Sequence, residues 1–517
     1  MIRIRNSEYY FFVLISVVSA FVIFLFSFTF EIFQNGDNCG YISLGMAFAG
    51  GRGFIDPALP GSFHFLWWPP GFPLFIAFFY TIFGPAWSAL KLLIFIFLYA
   101  ALTLFANIIY KNDQNRMKAA LILTALCFSS GIHLLSSYLY SETFFIACSL
   151  LFFFVWHAWK EDYRWWKIVL LSIMAVYISS VRIVGICLPA ALAVYLLFYA
   201  QNTAKSRWYA IIPCSLAIVY LITSLFVPAL SVGQLQAALG LDPQFGSCIS
   251  GKNISESVTV FQLGVLYYHK MVHFLQGYGL TLIPQALIRS AYDLCNMNVV
   301  KAVGMLLITT FVITGWVATF KKYRLMNIYT FLFMVLLFLY GPLYVRLVVP
   351  IIPFLFLYLY SGCEAILRLT IRKKRVGIVV VCILWAGVIF DNALRTCTDP
   401  RRTMYPTFGD SQYQKCIAWI VKNAVSNEVI VSQIHSYLFI RRGPYCIPFT
   451  NTKTANEFMS YLDAFDVKYI IISQFSVQAG ETYIKSAESA ATIYLKNFKQ
   501  VFGDNRSSAY ILEYVPD

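Results

Sequence analysis

Residues 11–30, 92–109 and 325–345 contain no Asp, Glu, Lys or Arg. Wound as helices, runs of this length cover the roughly 30 Å hydrocarbon core of a bilayer. A surface helix of a water-soluble protein would show one apolar stripe and a polar opposite face, whereas these stretches are apolar all round. Composition agrees: 59% of residues are hydrophobic and only 12% are charged, against about 25% charged in a soluble domain. The sequence therefore excludes a water-soluble globule and predicts a mainly α, polytopic transmembrane bundle.

At the N-terminus, Arg3 and Arg5 precede an apolar stretch beginning near Tyr9. The stretch is too long for the hydrophobic region of a signal peptide, and no small-residue cleavage site follows it. It reads as an uncleaved first span with a cytoplasmic N-terminus. Further spans are predicted near 86–109, 119–137, 142–159, 167–181, 183–200, 209–230, 300–320, 325–345, 347–367 and 376–394, about eleven crossings by span length.

Placing the loops alternately inside and outside tests that count. The inside loops hold Lys111, Arg116 and Lys118; Lys160, Arg164 and Lys167; Lys205 and Arg207; Lys321, Lys322 and Arg324; and Arg368, Arg372, Lys373, Lys374 and Arg375. Every short inside loop is basic, as the positive-inside rule requires. The net charge of +15 is thus a topology signal, and no basic groove for nucleic acid is visible.

Three segments are left outside: 32–85, 231–299 and the tail. Residues 1–394 form the expected transmembrane module, and 395–517 a small extracytoplasmic α/β domain. In the tail, Ser411–Asn423 has helical spacing after a serine start, 428–433 and Val467–Ser473 are β-branched runs, 481–499 suggests another helix, and 506–514 fits a closing strand. Of twelve cysteines, Cys127, Cys148, Cys187, Cys214, Cys363 and Cys382 fall in apolar spans as packing residues. Cys39, Cys248, Cys295, Cys397, Cys416 and Cys446 fall outside, where disulfides persist, and their spacing fixes no pairing.

Polar residues just outside the membrane are where chemistry on a lipid-borne substrate belongs, and the first outer loop is richest in them. It opens Asn35-Gly36-Asp37-Asn38-Cys39-Gly40-Tyr41, continues through Gly51-Arg52-Gly53-Phe54, and reaches His64 and Trp67-Trp68-Pro69-Pro70-Gly71-Phe72-Pro73 before another apolar helix. Farther on stand Leu139-Tyr140-Ser141-Glu142, Val181-Arg182-Ile183-Val184-Gly185 and Tyr344-Val345-Arg346-Leu347-Val348-Val349-Pro350. Each has a plain alternative reading. Asp37 is also a solvated helix end, and Glu142 a helix-start residue favoured by the dipole. Arg182 and Arg346 are also snorkelling side chains, His64 a solvated histidine, and Trp67 and Trp68 part of an aromatic belt. His269, Lys270 and His273 share one helical face without a third ligand for a metal.

In order and spacing these segments resemble the GT-C glycosyltransferases, the lipid-phosphosugar-dependent family that includes protein O-mannosyltransferases and the aminoarabinose transferase of lipid A. The resemblance runs over residues 30–365. Ile183 stands where the family's Arg-Pro-x-Gly turn has Pro, and Leu347 where its Arg-Tyr-Leu element has Tyr. It implies inverting transfer of a monosaccharide from a polyprenyl-phosphate donor to a protein, lipid or envelope-glycan acceptor at the outer face of a bacterial inner membrane. Asp37 would be the base and Glu142 would orient the acceptor or a basic neighbour. Tyr41, His64, Trp68, Arg182 and Arg346 would contact substrate, the arginines through phosphate. Many relatives have a second acidic residue after their Asp, where this chain has Asn38, so a metal bridged by paired carboxylates is not required and the cofactor stays open. Two other readings stand beside this one. A transporter or flippase for lipid-linked glycans would carry inverted repeats or mid-membrane polar residues, and a non-catalytic glycan-binding membrane protein would tolerate replacement of Asp37.

Overall fold

The structure is a computed structural model that describes residues 6–27, 37–55, 69–136, 138–162, 164–200, 207–226, 297–339, 345–370, 374–398, 411–432, 435–443, 445–447, 455–473, 494–503 and 509–515. The described part is mainly helical, with one small mixed sheet near the C-terminus. It divides into two compact units: residues 1–28, 66–72 and 89–399, and residues 29–65, 73–88 and 400–517.

In the first unit, Trp87–Asp113, Ser141–Trp159 and Val349–Leu369 are each long and apolar enough to cross a membrane. Shorter apolar helices, among them Trp165–Val181, Ile211–Thr223 and Arg324–Leu337, accompany them. Ile96, Leu306, Phe331 and Ile383 lie more than half exposed on such helices. An outward face of this kind is stable only in an apolar surrounding, and the chain is an integral membrane protein. Inside, Phe153 meets Tyr329 and Phe354 edge to face at 5.4 and 5.3 Å. Buried Lys118 is held by Asp113 at 2.6 Å and by the Ser361 hydroxyl at 2.8 Å, which offsets the cost of burying its charge.

The Met297–Thr319 and Ile352–Thr370 helices touch through backbone. A methyl group on Gly362 would overlap the Phe311 carbonyl, and one on Gly315 the Tyr358 carbonyl. Small residues at such a crossing allow close packing in lipid, where there is no hydrophobic drive between helices. Gly362→Ala is therefore expected to cost about 1–3 kcal/mol by overpacking, read as a lower thermal midpoint in detergent. An unchanged midpoint would mean that the two helices do not meet there.

The expected span 119–137 is broken into Arg116–Cys127 and Ser130–Ser136. Side chains replace the backbone bonds lost at the break. The His133 ring donates to the Cys127 carbonyl at 2.6 Å, and the Ser130 amide donates to Asn392 Oδ1 at 3.2 Å. Residues 183–200 likewise begin as a 3-10 turn, Ile183–Ile186, before the helix Cys187–Phe198.

In the second unit the tail builds a five-stranded sheet from β1 (Val429–Ser432), β2 (Cys446–Ile447), β3 (Val467–Ser473), β4 (Phe498–Phe502) and β5 (Ala509–Tyr514), in the order β2-β1-β3-β5-β4. β1 runs parallel to β2 and β3, whereas β5 is antiparallel to β3 and β4. The helix expected over 481–499 fails at its end. Leu495–Asn497 is a 3-10 turn and Phe498 opens β4, whose Phe498-Lys499-Gln500-Val501-Phe502 pairs with β5. The rest of that stretch, 481–493, lies outside the described residues. One face of the sheet packs on a cluster that includes Tyr413, Cys416, Ile420, Tyr437 and Cys446, and Cys39 of the helix Asp37–Ala49 is buried in the same cluster. Cys39, Cys416 and Cys446 are thiols in this structure, and Cys248 and Cys295 lie outside the described residues.

Candidate active site

The first unit brings together three segments that are far apart in sequence. Tyr140 is extended and the Ser141–Trp159 helix starts after it, which places Glu142 in the first turn, fully buried. The Trp165–Val181 helix stops at Arg182, whose backbone is extended at φ −148° and ψ 134°. That bend turns the guanidinium to Glu142. Arg182 Nη1 lies 2.8 Å from Glu142 Oε1 and donates to the Ser141 hydroxyl at 3.0 Å. The side chain is only 14% exposed, so Arg182 is an ion-paired interior residue. Glu142 thus stands in the first turn of its helix and pairs with a basic neighbour.

The turn after Arg182 forms without the usual proline. The Gly185 amide donates to the Arg182 carbonyl at 2.8 Å. A Cβ on Gly185 would stand 2.7 Å from the Ile178 carbonyl oxygen, so the turn can fold back against its own helix only with glycine there. The Pro-Pro-Gly-Phe segment docks beside it. A Cβ on Gly71 would stand 2.7 Å from the Val181 nitrogen, the Tyr177 hydroxyl donates to the Gly71 carbonyl at 3.3 Å, and Phe72 packs on Phe144 at 5.6 Å. Tyr177 escaped the sequence reading because a tyrosine inside an apolar span looks like packing. Its place on the turn of helix that leads to Arg182 was the only signal. Ser141 belonged to a recognised element, but nothing in the sequence said which residue it would hold.

One Arg182 donor is left unmatched. Among the described residues its Nε is buried and has no hydrogen-bond partner, although leaving a buried donor unmade costs about 1–3 kcal/mol. A phosphate oxygen is the acceptor that guanidinium geometry suits best.

In the second unit, Asp37 opens the helix Asp37–Ala49 and is half-buried. Its carboxylate stands at the positive end of the helix dipole. Tyr41 lies one turn later, on the same side of the helix, and is 3% exposed. Cys39 and Met46 pack this helix on the tail's core cluster, so the helix that carries Asp37 rests on the tail. His64, Trp67 and Trp68 lie outside the described residues, as do His269, Lys270 and His273. Arg346 falls in the short helix Val345–Val348, and its side chain is outside what the structure describes. Among the described residues no group of three or more His, Cys, Asp and Glu is placed to hold a metal.

No protein-family profile matches the chain, and no curated protein matches it. Solved structures do match in fold. ArnT from Cupriavidus metallidurans bound to undecaprenyl phosphate has a TM-score of 0.56 at 12% identity, over 97% of this chain and 98% of that one. The archaeal oligosaccharyltransferase AglB from Archaeoglobus fulgidus, in complex with an inhibitory peptide and a dolichol-phosphate, has a TM-score of 0.56 at 10% identity, over 96% of this chain and 74% of that one. A third structure, the Archaeoglobus fulgidus oligosaccharyltransferase in complex with Zn and sulfate, has a TM-score of 0.57 at 11% identity. These matches run along nearly the whole chain, tail included, and the protein has the fold of the GT-C membrane glycosyltransferases.

Proposed function

We propose that this protein is an inverting glycosyltransferase that moves a monosaccharide from a polyprenyl-phosphate donor to a protein, lipid or envelope-glycan acceptor. It works at the outer face of a bacterial inner membrane, with its N-terminus in the cytoplasm and residues 395–517 outside. The observation that carries the reading is Arg182. It is a buried cation fixed by Glu142 and Ser141, with its Nε left unpartnered among the described residues, in a fold whose solved examples hold undecaprenyl phosphate and dolichol-phosphate.

The reaction needs a base for the acceptor hydroxyl and a cation for the departing phosphate. Asp37 takes the acceptor's proton as that oxygen bonds to the anomeric carbon. The bond from the anomeric carbon to the phosphate oxygen breaks, and polyprenyl phosphate leaves as an anion stabilised by Arg182 and Arg346. Glu142 keeps the Arg182 fork oriented, and Tyr41, His64 and Trp68 contact substrate.

The test is to incubate the full-length protein in lipid nanodiscs with synthetic polyprenyl-phosphate sugars of defined anomeric configuration, then read free polyprenyl phosphate and the product anomer. The expected product is inverted. A retained anomer, or transfer from nucleotide sugars only, would overturn the mechanism.

A further inference from the structure

A cavity of about 230 Å³ lies within the first unit, at the far end of the helix that begins with Ser141 and Glu142. Glu142 and Lys160 are separated by roughly 27 Å at the helical rise per residue, close to the thickness of the hydrocarbon core. The cavity and the Glu142–Arg182 pair thus belong to opposite membrane faces. Trp156, Tyr195 and Tyr199 wall the cavity, and Lys160, Lys321 and Arg324 bring charge to it.

The positive-inside rule explains why cations gather at this end, but not why three of them line a cavity without an ion pair among the described residues. Asp113 neutralises two other lysines, Lys118 at 2.6 Å and Lys322 at 2.9 Å. Among the described residues, Lys160 and Lys321 make no ion pair, and Arg324 lies over the Tyr199 ring at 5.2 Å. Glu161 also lines the cavity and makes no ion pair among the described residues. With Lys322 set against Asp113, three cations face one carboxylate, and this net positive charge favours an anion. The volume falls short of the roughly 300–1,000 Å³ of pockets for drug-sized ligands, which suits a small headgroup. Phe198 next to Tyr199 is 74% exposed, giving an apolar approach on which an acyl chain can lie.

We propose that this cavity binds a phosphate-bearing anion, the headgroup of an acidic phospholipid or free phosphate, at the membrane face opposite the transfer site. The aromatic walls hold the neutral part of the headgroup, and Lys160, Lys321 and Arg324 hold its phosphate.

The experiment is native mass spectrometry of the full-length protein in detergent, titrated separately with short-chain phosphatidylglycerol, diacylglycerol of the same chain length, and inorganic phosphate. The variants are Lys160→Gln/Lys321→Gln and Lys321→Gln alone; Lys321 is exposed, so the single variant keeps the test valid if the double one misfolds. Wild type is expected to retain one phosphatidylglycerol at a concentration at least about tenfold below that needed by the double variant, which corresponds to about 1.4 kcal/mol. Diacylglycerol is expected to stay unbound. Displacement of the lipid by inorganic phosphate, lost in the variants, would identify soluble phosphate as a ligand of the same site. Equal lipid retention by wild type and variants, or equal retention of diacylglycerol, overturns the proposal. Sugar transfer is unaffected by these variants if the site is separate, so failure of the enzyme reading does not decide this one.

Discussion

Arg182→Met leaves Glu142 charged and fully buried with its cation gone, and is expected to lower stability by about 3–5 kcal/mol. A buried carboxylate that has lost its guanidinium keeps its desolvation cost with no ion pair to offset it. Glu142→Gln should be milder, because the Ser141 hydroxyl remains as an acceptor at 3.0 Å and the glutamine oxygen can replace a carboxylate oxygen. The double variant Glu142→Gln/Arg182→Met should recover much of the loss, since no buried charge is stranded. Thermal midpoints of the four proteins in one detergent give the coupling directly. Additive losses would mean that the two side chains do not interact. Any folded Arg182 variant should also show weakened release of polyprenyl phosphate, because the anion loses a fixed donor.

Asp37→Asn is expected to reduce turnover by about 10²–10⁴-fold, the range that a positioned general base contributes. The substitution retains size, shape and a favourable helix-start residue, and Asp37 is only half-buried. The fold should therefore survive, with a stability within about 1 kcal/mol of wild type. Tyr41→Phe provides the contrast. It removes a hydroxyl one turn away from a buried ring, and should act through substrate affinity more than through the rate of the chemical step.

Much of this was legible in the sequence because the governing physics is local. Charge-free runs such as 92–109 must be helices in lipid, and Trp87–Asp113 is one. The β-branched run Val467–Ser473 forms β3 with the same boundaries. The break at Phe128 was hidden because what offsets it is distant in sequence. Asn392 and Tyr99 reach the broken turn from other helices, and no local pattern announces them. The end of the predicted 481–499 helix was lost to tertiary pairing, because Phe498–Phe502 gains a partner in β5 that outweighs its weak helical periodicity. At the site, the Ser-Glu and Arg-x-x-Gly elements were readable as motifs. That Glu142 and Arg182 form one buried ion pair was not, since forty residues separate them and sequence spacing carries no information about which helix ends meet. The anchoring of the Asp37–Ala49 helix in the tail's apolar cluster through Cys39 was invisible for the same reason.

The central claim is that this chain transfers sugar from a polyprenyl-phosphate donor with Asp37 as base. Its most direct test measures release of polyprenyl phosphate from labelled donors by purified wild type and by Asp37→Asn, in the same detergent and with matched thermal midpoints. The account predicts turnover by wild type on at least one donor and a loss of at least about 100-fold in the variant. Equal turnover by the two proteins would make Asp37 a solvated helix end, and an absence of turnover on every polyprenyl-phosphate donor would contradict the enzyme reading itself.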